Sequence, residues 1–152
     1  MILRPFIILS SRPLAATRPP PKFSLATTSS GPTFYQKRTM SAQSIVDAAL
    51  APKDGKKRIV IFSKSYCPYC LKAKAQIESF KGSLSSSEKD QVEVDIFELD
   101  ERDDGSAIQD YLHKKNGQRT VPNIYIGKEH IGGSSDLAPY SNDKIKKILF
   151  AV

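Results

Sequence analysis

From residue 41 onward the apolar positions change period several times, and each change marks an element. In "SAQSIVDAALAP" (41–52) Ile45, Val46, Ala49 and Leu50 form a helical stripe that Pro52 closes. "RIVIFS" (58–63) is a continuous β-branched run, the pattern of a strand buried on both faces. Helical spacing returns in "PYCLKAKAQIESFK" (68–81), where Leu71 pairs with Ala75, and Ala73 with Ile77 and Phe80; Gly82 is expected as its stop. "QVEVDIFELD" (91–100) alternates through Val92, Val94, Ile96 and Leu99, with Phe97 added, and predicts a second strand. "DDGSAIQDYLHKKNG" (103–117) predicts a helix with apolar Ala107, Ile108, Tyr111 and Leu112, acids first, lysines last and Gly117 as terminator. "PNIYIG" and "KEHIGG" read as an antiparallel hairpin turning at Gly127, and "SDLAPYS" and "NDKIKKILFAV" as two helical pieces broken by Pro139.

Two strands joined by a helix-length connection imply a right-handed parallel β-α-β unit. With the hairpin added, the expected fold is α/β, a four-stranded mixed sheet flanked by helices over residues 41–152. A chain of 152 residues, 39% hydrophobic and 26% charged, has the makings of one ordinary soluble domain. No stretch approaches the roughly 20 apolar residues of a membrane span, so no membrane partner is expected.

The net charge of +7 at first suggests a nucleic-acid binder, but its distribution removes that reading. Residues 1–40 hold six basic residues and no Asp or Glu, whereas the remaining 17 of the 23 basic residues are set against 16 acidic ones. The folded part is nearly neutral, and no nucleic-acid partner is expected. An Arg-rich, Ser-rich, acid-free leader is the composition of an organelle import peptide, so residues 1–40 are expected to be a disordered mitochondrial transit peptide. A secretory signal is the competing reading because "PFIILSS" follows an arginine, yet that run is short and is followed by Arg12, Arg18 and Pro19 to Pro21. Met40 is placed to start a shorter, cytosolic form.

Both cysteines of the chain lie in "SKSYCPYC" (63–70), between the first strand and its helix. There the first thiol meets free backbone N–H groups and the positive end of the helix dipole, which favour its thiolate. Lys64 and Lys72 add positive potential, and Pro68 suits the first helical position. Cys67 is therefore expected to attack, and Cys70, one turn inward, to resolve. Two other readings compete. Zinc would need four ligands, and His113 and His130 complete no recognisable spacing with the cysteines; they read as a solvated helix residue and an exposed hairpin residue. An inert disulfide closed so locally would restrict the unfolded chain very little. A Cys-x-x-Cys beside a β-α-β unit favours redox chemistry in a reducing compartment.

"YCPYC", "RTVPNIYI" and "HIGGSSDL", in that order, closely resemble the dithiol glutaredoxins of the thioredoxin-like superfamily, over about residues 43–150. The resemblance implies a thioredoxin-like fold and a glutathione-dependent thiol–disulfide oxidoreductase acting through Cys67 and Cys70. It also implies a cis Val121–Pro122 bond whose exposed strand edge pairs with glutathione. Lys64, Gln109 and Arg119 would then meet the glycine carboxylate, and Ser135 and Asp136 the γ-glutamyl end. Tyr69, Thr120, Pro122, Gly133 and Ser134 would line the same site. Taken singly, Lys64 and Arg119 read as solvated charges, Gln109 as an exposed helix residue and Asp136 as a helix-start acid. Many relatives carry a cysteine after the double glycine where this chain has Ser134.

The expected partners are glutathione as co-substrate and glutathionylated or disulfide-bonded client proteins, the chain is expected to be a monomer, and no tightly bound cofactor or metal is expected. Two alternatives remain beside the reductase. An iron–sulfur cluster shared by two subunits through Cys67 is disfavoured by Pro68, since cluster-holding relatives usually have a smaller residue there. A thioredoxin-type reductant served by a flavoprotein would differ in its electron donor.

Overall fold

The computed structural model describes residues 40–151; the import-peptide reading and the leader's boundary lie outside the described residues. Helix α1 (Ala42–Leu50) starts at Ser41, whose hydroxyl accepts the Ser44 N–H at 3.1 Å. Strand β1 (Lys57–Ser63) pairs in parallel with β2 (Val92–Glu98) on one side and antiparallel with β3 (Asn123–Ile126) on the other; β4 (Glu129–Gly132) completes the sheet, in the order β2-β1-β3-β4. Helices α2 (Pro68–Ser83) and α4 (Gly105–Asn116) follow β1 and β2, and α5 (Ser134–Leu137) and α6 (Asn142–Phe150) end the chain on either side of Pro139. This is the expected thioredoxin-like, four-stranded mixed sheet flanked by helices.

The unbroken apolar run of β1 is explained by two cores. Ile59 and Ile61 face α2 and α6 with Ala73, Ile77, Phe80 and Leu149, while Val60 and Phe62 face α1 and α4 with Val46, Ile108 and Leu112. Each such side chain, when fully buried, contributes roughly 1.5–3 kcal/mol. The central strand is thereby fixed on both faces, and the turn that follows it starts from a rigid base.

Three local expectations are corrected. Helix α2 continues through Gly82 to Ser83, because Gly82 lies on the solvent side and it is the next residue, Leu84, that turns back into the core at 5% exposure. Leu71 and Ala75 face solvent, and only Ala73, Ile77 and Phe80 of the apolar set are buried with Cys70. A one-turn helix, α3 (Ser86–Lys89), fills the connection to β2, closed by a capping box between Ser85 and Glu88.

Candidate active site

The two cysteines sit where β1 ends and α2 begins, beside the carboxyl end of β2. Asp100, just past β2, fixes the turn: its carboxylate accepts the Ser65 N–H at 2.9 Å and the Ser65 hydroxyl as well, which hold that carboxyl below its usual range. The Cys67 N–H donates to the Lys64 carbonyl at 3.1 Å, and Cys67 is the N-cap of α2 with Pro68 at the first helical position. Proline loses nothing there, since a first-turn N–H has no intrahelical acceptor.

Both cysteines are free thiols, Cys67 partly exposed and Cys70 fully buried. Partial burial pushes the Cys67 thiol up, but the Cys70 N–H and thiol, the Tyr69 N–H and the charge of Lys74 outweigh it, and its pKa lies below the ordinary thiol value. Cys70 moves the opposite way: burial pushes it up, and contact with Cys67 adds to the rise. One thiol is poised as nucleophile and the other is held protonated. The positive potential at Cys67 has a further source. Lys72 lies over the Tyr69 ring, 5.7 Å from its centroid, and a lysine not singled out in the sequence, Lys74, ion-paired with Glu98, adds positive potential at Cys67.

Cys67 opens onto a groove together with Lys64, Gln109, Arg119, Thr120 and Val121. An adjoining hollow shares Thr120 and Val121 and adds Tyr69, Pro122, Gly133, Ser134, Ser135 and Asp136. All the site residues expected from the sequence line one or the other, except Cys70, which lies beneath. The Val121–Pro122 peptide is cis. Gln109 Nε2 donates to the Arg119 carbonyl at 3.0 Å, and the Arg119 guanidinium is 2.8 Å from the Asp110 carboxylate, both well exposed. Asp136 accepts the Gly133 N–H at 2.8 Å. Gly132 is needed beside it: its φ of +111° disfavours a side chain, and a Cβ would collide with the Asp136 carboxylate. A smaller hollow among Leu50, Pro52, Lys128 and Leu149 contains none of these residues.

His113 is exposed as expected, with Nδ1 3.0 Å from the Gly117 carbonyl. His130, expected exposed, is half-buried: Nε2 lies 3.0 Å from Asn123 Oδ1 and the ring packs on Tyr125, so burial lowers its pKa despite the opposing charge of Asp136. Among the described residues no group of three or more His, Cys, Asp or Glu is placed to hold a metal ion. Asp100, Lys74 and Gln118, the last lining the second hollow, join the site without having been expected from the sequence. For Asp100 the available signal was an acid directly after a strand that runs beside the cysteine turn.

The glutaredoxin family model matches residues 59–131. The chain is 45% identical over 95 residues to Glutaredoxin-1 of Rhizophagus irregularis, an alignment covering 62% of this chain and 84% of that protein. The chain belongs to the glutaredoxin family. It is also 39% identical over 112 residues to Glutaredoxin-C8 of Oryza sativa subsp. japonica, covering 73% of this chain and 74% of that one. A solved buckwheat glutaredoxin–glutathione complex superposes with a TM-score of 0.58 at 32% identity, over 72% of this chain and 88% of that one. As a glutaredoxin with a Cys67-x-x-Cys70 pair, it is a glutathione-dependent thiol–disulfide oxidoreductase.

Proposed function

We propose that this glutaredoxin reduces protein–glutathione mixed disulfides, and protein disulfides by a second route. What carries the reading is the partly exposed, pKa-lowered Cys67 opening onto the groove beside Val121. The Cys67 thiolate attacks the glutathione-side sulfur, the client leaves as a thiolate that takes up a proton, and Cys67 becomes glutathionylated. The thiolate of a second glutathione then attacks the glutathione sulfur of that intermediate, forming oxidised glutathione and restoring the Cys67 thiolate. For a client disulfide, Cys67 forms the mixed disulfide and Cys70 displaces the client, leaving a Cys67–Cys70 disulfide that glutathione reduces.

In this reading the substrate's cysteine residue pairs with the Val121 backbone, flanked by Thr120 and the ring of Pro122. Its glycine carboxylate is drawn to Lys64, Arg119 and Gln109, while Ser134, Ser135 and Asp136 receive the γ-glutamyl end, Asp136 taking the ammonium; Gly133 keeps the backbone open there and Tyr69 forms a wall. Arg119 already has Asp110 at 2.8 Å, so it shares its charge rather than offering all of it. Glutathione-coupled turnover of a glutathionylated peptide tests the shell. Asp136→Asn should raise KM about tenfold while retaining most of kcat, since one charged hydrogen bond is worth roughly 1.5–3 kcal/mol; an unchanged KM removes Asp136 from the shell.

The enzyme acts as a monomer on glutathionylated or disulfide-bonded client proteins. Its first 40 residues direct import into mitochondria, and a start at Met40 supplies a cytosolic form. The support is the six basic residues without an acid in that leader. N-terminal sequencing of organellar and cytosolic pools tests both, and a single form with one start in one pool would remove the second.

A further inference from the structure

Behind Val121 runs a chain of side-chain amides that the reaction above does not use. Gln118 Nε2 donates to the Thr120 carbonyl at 3.2 Å and to the Pro122 carbonyl at 2.9 Å, one on each side of Val121. Gln118 is itself held by its backbone: its N–H donates to Asn116 Oδ1 at 2.9 Å, and its carbonyl accepts Asn123 Nδ2 at 3.2 Å. Asn123, 1% exposed, is anchored in turn through Oδ1, which accepts Asn116 Nδ2 at 3.1 Å and lies 3.0 Å from His130 Nε2. The amides thus link the end of α4, the substrate loop, β3 and β4.

Two observations tie this arrangement to binding. Among the described residues the Val121 N–H and C=O take no part in the fold's backbone hydrogen bonds, so no ladder holds this stretch in one conformation. In addition, the Gln118 side chain borders the hollow that holds Asp136 and Ser135, and its Nε2 would lie 3.9 Å from a Cβ on Gly133. An NH2 group has two donors, and both are spent on the carbonyls flanking Val121. What remains free on that edge is Val121's own donor and acceptor.

We infer that Gln118 is a positioning residue that selects disulfides carrying an extended peptide backbone: by clamping the carbonyls on both sides of Val121 it presents the Val121 N–H and C=O in one fixed orientation. The inference rests on the reading of Val121 as the residue that pairs with the glutathione backbone. A reagent without a peptide group gains nothing from the clamp, because it touches only the Cys67 sulfur. The clamp should therefore affect KM for glutathionylated substrates and leave the intrinsic reactivity of the thiol alone.

The test uses the full chain as wild type, Gln118→Met, Gln118→Glu and Asp136→Asn. Two quantities are measured: KM and kcat for a glutathionylated peptide, and the rate of Cys67 alkylation by iodoacetamide. Gln118→Met keeps the volume and removes both donors, and Gln118→Glu turns an acceptor toward two carbonyls. In each, KM should rise about tenfold, as the loss of two ordinary hydrogen bonds implies, with kcat within about twofold and the alkylation rate unchanged. If KM stays at the wild-type value in both Gln118 variants while Asp136→Asn raises it, the clamp is wrong and the glutathione shell stands. If no variant changes KM, the shell reading falls and the clamp with it. A parallel loss of peptide turnover and alkylation rate in both Gln118 variants also overturns the inference, because the effect would then pass through the fold of the cysteine turn.

Discussion

Cys70, fully buried, lies beneath the partly exposed Cys67, and its backbone N–H and thiol are the main influences that lower the Cys67 pKa, so the buried cysteine favours its neighbour as a thiolate. The division of labour follows from that contact, since the electron pair of Cys67 is available to solvent and that of Cys70 is not. Cys67→Ser should abolish turnover of both glutathionylated peptides and protein disulfides. Cys70→Ser should keep the first, within a few-fold, and lose the second, because only the client-disulfide route needs a resolving thiol. Glutathione-coupled assays on the two substrates measure this, and full activity in Cys67→Ser would end the account.

The same contacts set a pH dependence. A thiolate, not a thiol, reacts with iodoacetamide, so the alkylation rate rises with pH through the Cys67 pKa. That pKa is lowered from 9.0, so the midpoint should fall below 9.0 and more thiolate should be present at neutral pH than for a free cysteine. Lys74→Met should move the midpoint upward, because it removes a cation and leaves the Glu98 carboxylate unpaired nearby. Lys72→Met should leave it in place, since Lys72 lies on the Tyr69 ring. A midpoint that moves with Lys72 and not with Lys74 would reverse the assignment.

The strand, turn and helix around the cysteines were legible because an apolar β-branched run and a helical stripe have different periods, and Pro68 fits only the first helical turn. Which lysine acts on Cys67 depended on the rotational phase of α2, and the phase is fixed by Ala73, Ile77 and Phe80 going inward while Leu71 stays exposed. Glycine often ends helices, but Gly82 lies on a solvent face, where it is merely tolerated. The capping signature of Ser85 and Glu88 sits inside a polar stretch with no apolar stripe to mark a helix. Gln118 had no signal at all, because its two carbonyl partners come together only after the loop is folded. The burial of His130 has no local signal for a similar reason: its partner Asn123 lies on the adjacent strand.

Gly132 offers a test of how the hairpin serves the site. An alanine there would adopt an unfavourable positive φ of +111° and push its methyl group into the Asp136 carboxylate, which now accepts the Gly133 N–H. Gly132→Ala should lose about 1–3 kcal/mol of stability in urea unfolding, the usual range for strained backbone. It should also raise KM for a glutathionylated peptide by displacing Asp136, with the alkylation rate of Cys67 unaffected. Wild-type stability together with wild-type KM would show that the strand accommodates the side chain and that Asp136 does not depend on it.

Glu88 gives a stability effect with a defined pH window. Its carboxylate is held first by the Lys146 ammonium at 2.5 Å and then by the Ser85 N–H and hydroxyl, and its pKa is pushed down to about 2 from 4.5. A carboxyl depressed in the folded state stabilises the fold fully above its unfolded value and loses that contribution as pH falls through its folded one. Glu88→Gln should therefore lower the thermal midpoint by an amount that is constant from neutral pH to about pH 5. The difference from wild type should shrink below pH 4.5 and disappear as the pH falls through about 2. Because Lys146 is 46% and Glu88 24% exposed, the effect should be only on the order of a few degrees and smaller still in 1 M salt. Thermal melts of both proteins across that pH range decide it: a gap that keeps its full size at pH 2–3 would mean that the substitution acts through the geometry of the capping box and not through the charge.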